Sequence, residues 1–293
     1  MNRERGTAVF MAMLVVVAAA TLVAGALWQQ NALARETENE RALTQARWLL
    51  RGAMDWAGLI LEEDARTTSV DHRGEPWAVP LADTRLNEDD GRPPAYIAGR
   101  IDDEQSKFNL RNLVGSDGVD RNELEMFRRL LALLGIDTGY ADRIGERTVA
   151  ALTARRAQAD LGRAYAEELL QVGLERDALE RLLPFVTMLP ELTSLNVNTA
   201  PAELLAARIP GLELVDAKRL VASRDRAYYK DVADALERLR QVAPATTDNR
   251  IAVTTSYFSI DGTVTYGAAR LGARALVRRQ AARVELLWLR EAV

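Results

Sequence analysis

The order of apolar and polar positions divides this chain into stretches of different period. Thr7 to Trp28 contains no charged side chain and is apolar almost throughout. A bilayer crossing needs about 20 such residues as a helix, whereas a cleavable apolar core needs only roughly 7 to 15, so the run predicts a membrane-spanning helix. No proline follows until Pro76, and apolar side chains recur at Leu33, Leu43, Ala46, Leu50, Met54, Ala57 and Leu61. Their steps, mostly of three and four, trace one stripe along a helix. Thr7 to about Asp64 is therefore expected to form one rod, roughly 85 Å long at 1.5 Å per residue, half in lipid and half amphipathic. The outer half needs a surface to pack on.

From Thr67 to Pro94 charge, proline and glycine dominate, which predicts a loop with a short extended piece from Trp77 to Leu81. Tyr96 to Ile101 reads as a strand, and Phe108-Asn109-Leu110 closes that segment. From Arg121 to Leu239 the pattern is helical: Asn122 to Leu134, Gly139 to Asp160, Tyr165 to Gln171, Glu175 to Leu183, Ala202 to Ile209, Val215 to Ser223, and Val232 to Arg240. Past Pro244 alternation returns. Ile251 to Ile260 reads as a strand, Asp261-Gly262 as a hairpin turn, Thr263 to Tyr266 as the returning strand, and Arg274 to Arg279 with Arg283 to Arg290 as a further pair. In the last of these, Val284, Leu286 and Trp288 are expected on one face. The fold class that follows is α+β: a long N-terminal helix packed on a small antiparallel sheet, with a large all-α domain inserted between early and late strands. The boundaries are 1–6 for a leader, 7–28 for the membrane helix, 29–64 for its amphipathic continuation, 65–112 for the first α/β segment, 113–245 for the helical insertion, and 246–293 for the late strands.

The charged head decides how the first helix is processed. Arg3-Glu4-Arg5-Gly6 ends in glycine directly before the apolar run, so cleavage between Gly6 and Thr7 would remove the head and keep the anchor, as in prepilin-type processing. Secretory processing cuts behind the apolar region instead. A competing site of that kind, Ala32-Leu33-Ala34, satisfies the small-x-small rule and would leave a chain beginning at Arg35. Arg3 and Arg5 hold the N-terminus in the cytoplasm and send the bulk of the chain across the membrane, which in a bacterial inner membrane means into the periplasm.

Composition narrows the chemistry. With 293 residues there is room for one large or two modest domains beyond the membrane helix. A net charge of -4 argues against a generic nucleic-acid binder. Zero cysteines exclude disulfides, thiolate metal sites and a cysteine nucleophile, and the single histidine, His72, denies a histidine-centred metal site its second imidazole. His72 stands between Asp71 and Glu75, but Gly74 and Pro76 make the stretch a polar turn, and no nucleophile sits in a Gly-x-Ser-x-Gly frame. No enzyme is expected. The acidic clusters do not fit a helix-loop-helix calcium loop either, because Gly91 or Gly118 would put Leu86 or Leu113 at the first ligand position.

Residues 195–240 resemble a helix-hairpin-helix module. Thr199 is a plausible cap, Pro201 falls in the first turn, and Ile209-Pro210-Gly211-Leu212 joins two helices. Such modules hold phosphate on backbone amides of a Gly-x-Gly hairpin, which makes a membrane-anchored DNA-binding or uptake protein the alternative function. Glu213 replaces the second glycine and brings a negative charge to the phosphate position. Lys218, Arg219, Arg224 and Arg226 are offset by Glu203, Asp216, Asp225, Asp231 and Asp234, so nucleic acid is not the expected partner.

Several separated segments resemble the type II secretion system minor pseudopilin K family, also called general secretion pathway protein K. They are Arg5-Gly6, Val70-Asp71 with Glu75-Pro76-Trp77-Ala78, Gly99-Arg100-Ile101-Asp102-Asp103-Glu104-Gln105 leading into Phe108-Asn109-Leu110, Leu195-Asn196-Val197-Asn198-Thr199-Ala200-Pro201, Tyr257-Phe258, and Trp288-Leu289-Arg290-Glu291. Together they cover nearly the whole chain in order. The resemblance implies a pilin-like fold with a large helical insertion, and a non-enzymatic subunit that initiates and caps a periplasmic pseudopilus during export of folded proteins across the outer membrane. It implies as partners two other minor pseudopilins of the I and J types, the major pseudopilin, an inner-membrane assembly platform, and a prepilin peptidase that cuts after Gly6 and leaves Thr7 as the N-methylated terminus. Relatives bind calcium in the globular part, with no ligand positions that carry over to this chain. The fifth residue after the cut is usually a glutamate that pairs with a neighbour's terminal amine; here it is Met11. A subunit lacking that carboxylate is expected where no such neighbour exists, at the tip.

Overall fold

The computed structural model describes residues 3–88, 91–153, 173–244, 246 and 250–292, with backbone alone for residues 3–9, 32 and 292. A single helix, α1 (Arg3–Thr67), carries the whole N-terminal part, as expected of a stretch without proline. Ala46, Leu50, Met54, Ala57 and Leu61 are buried, and their spacing puts them on the side of α1 that lies against a sheet. The sheet is antiparallel, in the order β1 (Leu81–Arg85), β2 (Ala95–Asp103), β9 (Tyr257–Tyr266), β10 (Ala269–Gln280), β11 (Arg283–Ala292). β2 and β9 are hydrogen-bonded neighbours although the whole helical part lies between them in sequence. At their crossing Gly99 pairs with Gly262. A Cβ on Gly99 would come within 2.9 Å of the Asp261 carbonyl, and one on Gly262 within 2.7 Å of the tip of Met54. The two glycines let the strands and α1 approach closely.

Between β2 and β9 run β3 (Phe108–Asn109), the hairpin of β4 (Val114–Gly115) and β5 (Gly118–Val119), α2 (Arg121–Leu133), α3 (Tyr140–Thr153) and the helices Arg176–Leu182, Ala202–Arg208, Leu214–Arg224 and Val232–Val242. Two short parallel pairings tie these helices together: β3 with β6 (Val186–Thr187), and β7 (Leu195–Asn196) with β8 (Ile251–Ala252). Phe127, Leu130, Leu131, Ile144, Leu182 and Leu205 form the centre of this second core. It also takes in Phe108, Leu110, Leu113 and Val253. Inside it, Arg208 forks onto both carboxylate oxygens of Glu123 at 2.7 and 2.8 Å.

Several local expectations need correction. Trp77–Leu81 is not extended: Pro76–Ala78 forms a 3-10 turn, and the edge strand lies in Leu81–Arg85, within the stretch read as loop. Asp261-Gly262 is no hairpin turn, because β9 continues straight through it and turns at Gly267, whose φ is 57°. Its partners β2 and β10 on either side hold those two residues in register, which outweighs the local turn preference of Asp-Gly. Ile251–Ile260 is two strands, since Val253 to Ser256 leaves β8 and crosses from the helical core to the sheet. In β11 a register shift pairs Leu276 with Trp288 and Val277 with Leu286, skipping Leu287. The bulge ends the simple alternation, so Val284 packs towards α1, Leu286 is exposed, and Leu287 and Trp288 pack on Leu189, Tyr257 and Leu276. Thr199 is not a helix cap. Pro201 occupies the cap position without a side-chain bond. The helix expected at Tyr165–Gln171 and the tail of Gly139–Asp160 beyond Thr153 lie outside the described residues.

Candidate functional site

Three parts of the fold meet where α1 ends. Asp64 lies in the last turn of α1, Asp71 and Glu75 in the loop behind it, Arg279 near the end of β10, and Asp103 at the end of β2. All four carboxylates are buried. Arg279 donates from Nη1 to Asp64 Oδ2 at 2.7 Å, and from Nη2 to Asp71 and to the Thr255 carbonyl at 3.1 Å. Asp71 also accepts from the Thr255 amide at 2.7 Å. The helical part joins through Asp103, whose Oδ2 accepts from Thr199 Oγ1 at 2.5 Å and Asn196 Nδ2 at 2.9 Å. This is the role Thr199 takes in place of capping. Gln105 spans the same gap, accepting from the Ser256 amide at 2.7 Å and donating to the Ser194 carbonyl at 3.2 Å. Segments far apart in sequence, 70–77, 103–105, 195–199 and 255–258, thus converge on one buried polar junction.

Charge there is unevenly paired: Arg279 is ion-paired with Asp64 and Asp71, while Asp103 is held by the neutral donors Thr199 and Asn196. Burial, reinforced by the nearby Glu75, pushes Asp64 up to about 6 even though Arg279 opposes it. Burial also raises Asp103 to about 6, against the hydrogen bonds from Thr199 and Asn196. Asp71 is raised for the same first reason, with Arg279 pulling the other way. Glu75 Oε2 accepts from Trp77 Nε1 at 2.8 Å and the His72 amide at 2.9 Å, but Glu75 Oε1 and Asp64 Oδ1 are buried without a hydrogen-bond partner. Asp64, Asp71 and Glu75 each bring one oxygen to within 4.8 Å of the others. Carboxylate oxygens with unfilled acceptor capacity are the donor set of a hard cation, so the residues present fit the calcium that the family resemblance implies.

His72 joins this junction through its backbone alone, while its imidazole is engaged elsewhere. Its ring stacks on Tyr228 at 3.9 Å between centroids, and Nδ1 accepts from the Gly74 amide at 3.0 Å. It is a turn residue that fastens the loop to the helical part. The helix-hairpin-helix geometry is present, with Gly211 at φ 81° between helices Ala202–Arg208 and Leu214–Arg224. Its cations are not arranged for phosphate. Arg224 is buried and donates to the Val197 carbonyl, Arg219 pairs with Asp216, Arg238 pairs with Asp234, and Glu213 stands at the start of the second helix. The hairpin packs one core and presents no basic stripe.

At the other end, α1 runs without a break through Gly6, Thr7 and Met11. Its apolar stretch is long enough to cross a membrane, and from Phe10 to Trp28 it is exposed. The outward side of its distal half carries Trp48, Trp56 and Leu59, none of which the apolar stripe singled out, although the spacing of Trp48, Gly52 and Trp56 by four was visible in the sequence. Asp64 and Arg279 were missed as well. No local pattern marks two residues that meet only through the sheet.

Two stretches of the sequence, residues 106–191 and 195–254, match the family described as "Type II secretion system (T2SS), protein K". The chain is similar to type II secretion system protein K of Pseudomonas aeruginosa, with 31% identity over 92% of this chain and 87% of the relative. It is also similar to type II secretion system protein K of Pectobacterium carotovorum subsp. carotovorum, with 26% identity over 98% and 96%. Among solved structures its fold is like that of a chain in the GspK-GspI-GspJ complex of the type 2 secretion system from enterotoxigenic Escherichia coli, with a TM-score of 0.69 at 20% identity, covering 88% of this chain and 99% of that one.

Proposed function

The chain belongs to the type II secretion system protein K family, and from that premise we propose that it stands at the tip of the pseudopilus, where it starts and caps the filament. It is a minor pseudopilin, a component of protein export anchored by an apolar N-terminal helix. The observation that carries the tip assignment is Met11 at the fifth position after the cut, on a helix that leads into a head enlarged by the helical insertion. The resemblance implies that in most pilin-like subunits a glutamate there pairs with the terminal amine of a neighbour, because an unpaired charge is costly in an apolar filament core. Met11 asks for no such partner, and the insertion adds bulk where a further subunit would stack.

In this reading the peptidase cuts between Gly6 and Thr7, the Thr7 amine is methylated, and Arg3 and Arg5 keep the leader cytoplasmic while the head faces the periplasm. Two other minor pseudopilins, the GspI and GspJ counterparts, complete the tip. The role is structural rather than enzymatic. Calcium, when bound, would be held by Asp64, Asp71 and Glu75, where it would balance their charge. Immunogold labelling is expected at filament ends only, and label spread along the shafts would refute the tip assignment. Mass analysis of the mature chain is expected to show a methylated Thr7 start; a start at Arg35 would remove the anchor and the proposal with it.

A further inference from the structure

Arg224, the last residue of helix Leu214–Arg224, is a cation buried with part of its donor set unused. Its side chain is 1% exposed. Nη1 donates to the Val197 carbonyl at 2.5 Å, whereas Nε and Nη2 are buried with no hydrogen-bond partner. The carboxylate of Asp225 is half exposed and stays 3.6 Å from Nε, too far for a hydrogen bond. The two nitrogens left over share one edge. In a guanidinium, Nε and the Nη that lies trans to Cδ point their N–H groups in parallel, a fork that matches the two oxygens of a carboxylate.

A second guanidinium reaches the same segment. Arg73, exposed in the loop behind α1, donates from Nη2 to the Thr199 carbonyl at 2.7 Å, two residues along from the carbonyl that Arg224 holds. Burial, and after it the positive charge of Arg73, pushes Arg224 down to about 10. Like charges placed so close disfavour each other unless a negative group joins them. The surroundings are fixed by contacts of their own. His72 stacks on Tyr228 at 3.9 Å between centroids, which fastens the loop of Arg73 to the turn after Arg224. Asn198 bonds the amide and the carbonyl of Tyr229 at 2.8 and 3.0 Å. The fork is therefore in place before any ligand arrives.

We propose that Arg224 and Arg73 form a binding site for a small free carboxylate, with its two oxygens on the Nε and Nη2 edge of Arg224 and with Arg73 on its solvent side. One negative charge and a planar pair of oxygens suit a single buried edge. Phosphate is bulkier and more highly charged, and a carboxylate carried on another protein's surface could not follow the fork inward without displacing the stacked loop. Occupancy would tie the loop of Asp71 and Glu75 to the helical part from the opposite charge. The inference does not rest on the tip assignment.

The test follows the melting temperature of the full-length chain in detergent, without added calcium, as acetate, inorganic phosphate or chloride is added at equal ionic strength. Acetate is expected to raise it above chloride. Arg73→Gln, a change at an exposed position, is expected to need about tenfold more acetate for the same rise, since one charge-assisted hydrogen bond is lost. Arg224→Lys keeps the charge, removes the fork and is expected to abolish the rise; if that variant does not fold, Arg73→Gln decides alone. No rise above chloride, or a rise with phosphate alone, overturns the proposal. So does an equal acetate response in wild type and either variant, which would be general salt stabilisation. Each of these failures leaves the family and the tip assignment standing.

Discussion

Arg279→Met tests the junction by removing the guanidinium that Asp64 and Asp71 share while keeping most of the side-chain volume. Arg279 is 9% exposed, and its partners Asp64 and Asp71 are 3% and 2% exposed, so the substitution strands two buried carboxylates. Breaking a buried pair in this way costs about 3–5 kcal/mol. The cation–π contact of Arg279 with Phe258, 4.7 Å from the ring centroid, is worth about 0.5–2 kcal/mol, and methionine retains part of it as packing. The pH dependence separates charge from packing. In the wild type Asp64 is raised from 3.8 to about 6, so between those values the folded state binds more protons than the unfolded one. Stability from this group is present below about pH 4, falls as pH rises towards 6, and is level above. Without the guanidinium, which lowers both Asp64 and Asp71, both groups move further up and the falling window widens. The variant is therefore expected to lose about 3–5 kcal/mol at pH 8, but only about 1–2 kcal/mol at pH 5, where the stranded carboxyls are neutral and lack only hydrogen bonds. Urea unfolding of the detergent-solubilised chain, followed by the fluorescence of buried Trp77, measures both values. A deficit of equal size at pH 5 and pH 8 would show that Arg279 acts by packing and would refute the electrostatic account.

Asp103→Asn is expected to flatten part of the wild-type decline in stability between about pH 4 and 6, because Asp103 is raised to about 6 and binds its proton more tightly when folded; an unchanged slope in pH-resolved thermal melts would contradict this. Gly99→Ala should cost about 1–3 kcal/mol, since its Cβ would meet a backbone carbonyl at 2.9 Å, and Gly262→Ala should cost less, since the 2.7 Å contact is the flexible tip of Met54. The opposite order in chemical denaturation would mean that α1 is held more rigidly on the sheet than the two strands are held together. Added calcium should raise the melting temperature of the wild type, chelator should lower it, and both responses should vanish in Asp64→Asn with Glu75→Gln; a response that survives the double substitution moves the ion elsewhere.

Much of the fold was legible because it is written in local period. The unbroken helix, the helical stretch that follows and the late strands each declare themselves in neighbouring residues, and so does the side of α1 that carries Leu50, Met54 and Leu61. What failed locally was overruled by partners. Asp261-Gly262 has the composition of a turn, yet β2 and β10 hold it in register on both sides. Thr199 has the composition of a cap, yet Asp103 claims its hydroxyl. At the bulge the run Leu286-Leu287-Trp288-Leu289 is apolar throughout, so alternation alone does not say which side each of the four faces, and the pairing with β10 decides it.

The sequence by itself determined the uncharged apolar run, its charged head and the absence of a carboxylate at Met11, because these depend only on which residues follow one another. Only the tertiary structure decided that Asp64, Asp71, Glu75, Asp103 and Arg279 share one buried junction. They come from a helix end, a loop and two strands as much as 215 residues apart, and the raised pKa values of Asp64, Asp71 and Asp103 arise first from burial, which no stretch of sequence carries. The same holds for the outward face of α1. Its tryptophans were visible in the chain, but the sheet packed against the opposite side is what leaves Trp48 and Trp56 exposed.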